Sequence, residues 1–135
     1  MTKQQFKEFI DKKILFLDGA TGSNLQKRGM PSGVCPEKWI LENEDIFIEL
    51  QREYVKAGSN VLYAPTLEDN IQEINHKLVA LSKRAADGKA LVAGDLTMTG
   101  LQLKPMGAMD FEELVDIYKE QITYLKEAGV DLLIV

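Results

Sequence analysis

The sequence predicts an α/β fold: parallel βα repeats, four strands in all, behind an N-terminal helix. Three observations carry this. Four short runs are almost wholly apolar, as strands covered on both faces are: Ile14 to Leu17, Asn60 to Pro65, Ala90 to Gly94 and Asp131 to Val135. The longer stretches between the later runs place apolar residues three and four apart, the helical period. The joins also recur. Ala57-Gly58-Ser59-Asn60-Val61-Leu62 returns as Ala128-Gly129-Val130-Asp131-Leu132-Leu133, with Asp87-Gly88-Lys89-Ala90-Leu91-Val92 as a looser copy. Glycine just past a helix, then a buried strand, is the expected αβ join. Such alternation gives right-handed parallel crossovers. An open doubly wound sheet and part of a (β/α)8 barrel both fit. A full barrel takes about 250 residues, so four strands would be half of one.

In chain order, Thr2 to Lys13 reads as an amphipathic helix with Phe6, Phe9 and Ile10 on one face. The first strand follows directly. Ser23 to Lys27 forms a short helix closed by Gly29 and Pro31. Met30 to Pro36 is loop, with Trp39, Ile40 and Leu41 as its apolar anchor. Glu44 to Ala57 is a helix whose stripe is Ile46, Leu50, Tyr54 and Ala57, widened by Phe47. Pro65 ends the second strand, and Leu67 to Ala86 makes a long helix stopped by Asp87-Gly88. Asp95 to Ala108 is loop. Asp110 is placed to cap the helix Phe111 to Ala128, with Glu113 three residues on as a capping box requires.

The 135 residues suit one domain. A net charge of −5 speaks against a general nucleic-acid surface and offers no basic face to anionic lipid. No apolar run reaches the ~18 residues of a membrane span, and no secretory core follows the N-terminus. The expectation is a cytoplasmic protein that binds neither nucleic acid nor membrane. Cys35 is the only cysteine and His76 the only histidine, too few for a closed zinc site. Cys35 reads as a small filler and His76 as a solvated helical residue.

Asp18 ends the first strand and opens Asp18-Gly19-Ala20-Thr21-Gly22. Chemistry in parallel α/β folds gathers at carboxyl ends of strands. The bland alternative is an aspartate that only caps the next turn. The glycine spacing is wrong for a dinucleotide fingerprint, and no Walker-type Gly-Lys-Ser/Thr occurs.

Asp18 to Gly29 as a whole, then Cys35-Pro36-Glu37-Lys38-Trp39, Tyr54 to Asn60, Thr99-Gly100, Pro105, Gly107 and Phe111-Glu112-Glu113-Leu114, resemble the homocysteine-binding S-methyltransferase domain. Among its branches the likeness is greatest to the N-terminal module of cobalamin-dependent methionine synthase. The resemblance implies half of a (β/α)8 TIM barrel, residues 1–135, binding homocysteine at the strand ends. It implies, for the intact enzyme, a zinc ion on three cysteines of the second half-barrel, which deprotonates the substrate thiol, and a methyl group carried by cobalamin. It implies that Asp18 holds the amino-acid end of homocysteine, with Gly19 and Ala20 bringing backbone close; Thr66 and Asp95 complete the candidate substrate-binding set. Cys35 matches a loop residue. No catalytic or metal-ligating residue is assigned, and neither zinc nor cobalamin is expected on this chain alone. A second substrate-binding acid follows the fourth strand in the family, past Val135.

The sequence departs from the family after Thr66, where Leu67-Glu68-Asp69-Asn70 replaces a longer loop, and at Thr97-Met98-Thr99-Gly100, where Gly-Pro-Thr-Gly is frequent. The leading reading is therefore the front half of a methionine-synthase homocysteine domain, inactive by itself. It would be closed by a C-terminal half-barrel or by a second copy in a homodimer. The rivals are a cobalamin-independent homocysteine methyltransferase, a non-catalytic half-barrel that self-associates, and an unrelated doubly wound binding protein.

Overall fold

The computed structural model describes residues 2–66, 72–96 and 98–135. Its elements are α1 (Lys3–Ile10), α2 (Gly22–Lys27), α3 (Pro36–Glu42), α4 (Glu44–Ala57), β1 (Val61–Ala64), α5 (Gln72–Ala86), β2 (Leu91–Asp95), α6 (Phe111–Ala128) and β3 (Leu132–Ile134). The strands form one parallel sheet in the order β1-β2-β3, with Val61 opposite Leu91 and Ala93 opposite Leu132. Alternation along the strands sends Leu62, Ala64 and Val92 into a core shared with Phe47 and Leu50 of α4, Leu78 and Leu81 of α5, and Leu125 of α6. Val61, Tyr63, Ala93 and Asp95 face the other way by the same rule.

The parallel α/β class stands; among the described residues there are three strands rather than the four expected. Ile14 to Leu17 runs beside β1 but is not a strand: Leu17 makes a single parallel bridge to Val61. The amides of Asn60 and Val61 donate to the Phe16 carbonyl at 2.7 and 3.2 Å, and the Asp18 amide donates to the Val61 carbonyl at 3.0 Å. Among the described residues this segment is paired on one side only. Ile14, Phe16 and Leu17 are 77%, 60% and 46% exposed, so the burial that their apolar character anticipates is missing here.

The repeated join seen in the sequence is a repeated device. Gly58 (φ 109°) ends α4 and Gly129 (φ 87°) ends α6, each in the left-handed conformation that glycine adopts without steric cost. Two residues later a polar side chain binds the neighbouring backbone. Asn60 Oδ1 accepts from the Phe16 amide at 3.2 Å, and Asp131 Oδ2 accepts from the Val92 amide at 2.8 Å.

Two local expectations need correction. Trp39, Ile40 and Leu41 belong to helix α3, for which Pro36 at the first helical position was the available signal. Asp110 flanks α6 in cap conformation, but its side chain makes no cap hydrogen bond; Lys104 Nζ holds both carboxylate oxygens, at 2.9 and 2.8 Å. A capping box forms instead at α1, between Thr2 and Gln5. The start expected at Leu67 for the long helix, the short loop Leu67-Glu68-Asp69-Asn70 and Thr97 lie outside the described residues. No described helix is long and apolar enough to cross a membrane.

Candidate functional site

The five candidate residues stand at the carboxyl side of three consecutive parallel segments. Asp18, Gly19 and Ala20 follow the Leu17 bridge, Thr66 follows β1, and Asp95 is the last residue of β2. Asp18 Oδ2 accepts from the Tyr63 amide at 3.2 Å, so β1 itself holds the carboxylate. Thr66 Oγ1 donates to the Asp95 carbonyl at 3.1 Å, tying the end of β1 to the end of β2. Gln51, fully buried in α4, donates to the Tyr63 carbonyl at 2.9 Å and fixes that strand from the helix side.

Gly19 and Ala20 are held by residues that sequence reasoning placed elsewhere. The Tyr54 hydroxyl donates to the Ala20 carbonyl at 3.0 Å. Asn24 Nδ2 donates to the same carbonyl at 2.7 Å and to the Tyr54 hydroxyl at 2.9 Å. The Tyr54 ring lies against Gly19, where a Cβ would meet Cε1 at 2.9 Å. Tyr54 reads as part of the apolar stripe of α4, and nothing local reveals a contact made across more than thirty residues.

Burial pushes the Asp18 carboxyl up to about 6, and the Tyr63 amide pulls back only part of that rise. Burial, then the Asp95 and Asp18 carboxylates, also push the Tyr63 phenol above its ordinary value. Tyr63 thus stands within the field of both acids. Among the described residues, neither Asp18 nor Asp95 has an ion-pair partner (the charged side chains that do pair, such as Arg28 with Glu53 and Lys83 with Asp131, pair elsewhere). Two unneutralised carboxylates at adjacent strand ends suit an ammonium group.

The donor set does not fit a zinc ion on three thiolates. Cys35 is the only cysteine, and its thiol, at the start of α3, donates to Glu37 Oε2 at 3.2 Å. Among the described residues no three His, Cys, Asp or Glu side chains are grouped to hold a metal. His76, expected to be solvated, is half-buried with Nε2 enclosed and unbonded among the described residues.

A family model described as Homocysteine S-methyltransferase matches residues 15–135. The chain belongs to this family. Among curated relatives, the S-methylmethionine–homocysteine S-methyltransferase of Pongo abelii is 28% identical over 131 residues, covering 90% of this chain and 35% of the relative. The betaine–homocysteine S-methyltransferase 1 of Danio rerio is 29% identical over 138 residues, covering 90% and 34%. The chain therefore spans about a third of the length of these family members. Their names give S-methylmethionine and betaine alongside homocysteine; cobalamin appears in neither.

Proposed function

We propose that this chain is the homocysteine-binding front half of a homocysteine S-methyltransferase barrel, with Asp18 taking the substrate ammonium. The supporting observation is Asp18 itself: a part-buried carboxylate at a strand end, held by the Tyr63 amide and without a cationic partner among the described residues. An arriving ammonium supplies the missing charge and pulls the Asp18 carboxyl back down. Asp95 adds negative potential from β2, Thr66 fixes the backbone between them, and the Gly19-Ala20 backbone lines the approach. The chain's own residues thus orient the amino-acid end of homocysteine. Activation of its thiol by a three-cysteine zinc site falls to residues this chain does not contain, so no methyl transfer is expected from the 135 residues alone.

The donor has two readings. The order of motifs resembles methionine synthase and favours methylcobalamin, with methyltetrahydrofolate as its source. The names of the relatives favour a small onium donor, betaine or S-methylmethionine, and we adopt that reading. An NMR titration of the labelled chain tests the substrate. Homocysteine is expected to shift the amides of Asp18, Gly19, Ala20 and Asp95, while 4-sulfanylbutanoate, which lacks the ammonium, leaves them in place. Equal shifts with both compounds would refute the ammonium reading.

A further inference from the structure

We propose that Tyr54 of α4, with Asn24 of α2, is the positioning residue of the Asp18-Gly19-Ala20 loop: it sets where the Asp18 carboxylate stands without touching substrate. Three contacts carry this. The Tyr54 hydroxyl donates to the Ala20 carbonyl at 3.0 Å. The Asn24 amide spans that bond, donating to the carbonyl at 2.7 Å and to the hydroxyl at 2.9 Å. Ala20 O therefore has both lone pairs engaged, and its peptide plane is fixed from two helices. The ring of Tyr54 lies on Gly19 so closely that no side chain fits there. Glycine at this position gives the aromatic ring access to the backbone. On the strand side Asp18 is anchored by its own amide to Val61 and by its carboxylate to Tyr63. The loop is thus clamped between the sheet and α4, and Tyr54 forms the helix side of the clamp.

The proposal rests on the homocysteine reading for what Asp18 binds, but not for how the loop is held. Tyr54→Phe keeps the ring over Gly19 and removes the hydroxyl; Asn24→Ala removes the second donor. Two readouts separate the roles. Carboxyl NMR follows the titration of Asp18, which is charged or neutral in the field of Asp95 and the Tyr63 phenol. A loop released toward solvent titrates lower, so the Asp18 midpoint is expected to fall by about one pH unit in Tyr54→Phe, with the urea midpoint little changed. Homocysteine affinity, read by the same amide shifts, is expected to weaken roughly tenfold, the weight of one well-placed hydrogen bond. An Asp18 midpoint unchanged in both variants overturns the proposal, as does a loss of urea resistance with Asp18 unmoved, which marks Tyr54 as structural only. If Asp18 moves as expected but the wild-type chain binds no homocysteine, the clamp stands and the substrate reading falls.

Discussion

Replacing Asp18 with asparagine is expected to stabilise the fold while removing the charge proposed to hold the substrate ammonium. Asparagine is nearly isosteric and its side-chain oxygen still accepts from the Tyr63 amide, now at 3.2 Å to Asp18 Oδ2. What disappears is the buried charge. Below about pH 3.8 the Asp18 carboxyl is neutral in both folded and unfolded chains and costs nothing. As the pH rises from there, the unfolded chain ionises first, so wild-type stability is lost progressively until the folded carboxyl ionises near pH 6. Above that the cost is complete and constant. The gap from 3.8 to about 6 corresponds to about 3 kcal/mol. Asp18 is only part-buried, and screening by solvent reduces this to about 1.5 kcal/mol.

Urea unfolding of wild-type and Asp18→Asn chains at pH 4.0 and pH 7.5 measures this directly. The variant is expected to be nearly equal to wild type at pH 4.0 and more stable by about 1.5 kcal/mol at pH 7.5. A variant that is less stable at pH 7.5, or more stable by the same margin at both pH values, would refute the reasoning. The first result means that Asp18 contributes bonds that asparagine cannot replace; the second means that the gain has nothing to do with ionisation. Loss of the homocysteine-induced amide shifts in the stabilised variant would make Asp18 a case of stability given up for binding.

Other substitutions test the frame around the site. Asp131→Ala strands the Val92 amide and frees Lys83, and urea unfolding should show a loss of about 2 kcal/mol. Gly129→Ala forces a side chain into φ 87° and should cost about 1 kcal/mol in the same assay. Lys104→Ala breaks an exposed ion pair and is expected to change stability by less than about 0.5 kcal/mol. The Asp110 carboxylate it releases is free to cap α6, which protection of the first-turn amides from hydrogen exchange would reveal.

Helices α4 and α6 were legible to the residue because every local signal agreed: the apolar period runs their full length and a glycine closes each one. The strands were legible to within a residue or two because nearly continuous apolar runs have few other uses. Ile14 to Leu17 has the same composition and still forms only one bridge, since composition cannot state which neighbours a segment will have. The Asp110 box failed for a related reason: the spacing is right, but Lys104 competes for the same carboxylate. At the site, Asp18 was visible from its place at the end of an apolar run. Tyr54 was not, because its ring packs as the stripe predicts and only its hydroxyl departs from that role.

Two aspartates on the same sheet show how its ends differ. Asp131 enters β3 from the amino side and meets two donors, Lys83 Nζ at 2.7 Å and the Val92 amide at 2.8 Å. Its charge is matched, and it fastens β3 to β2. Asp18 lies at the carboxyl side beside β1, where backbone amides, that of Tyr63 at 3.2 Å and its own, face its carboxylate but no cationic side chain does among the described residues, with the Asp95 carboxylate near enough to act on the same phenol. Both residues are part-buried, so burial alone does not separate them. The partner does: one end of the sheet supplies a lysine, while at the other the described residues place no cation beside Asp18, and there the proposed reading puts the substrate ammonium. On that reading, a carboxylate kept in that state weakens the fold at neutral pH, and the binding of an ammonium is the event that would relieve it.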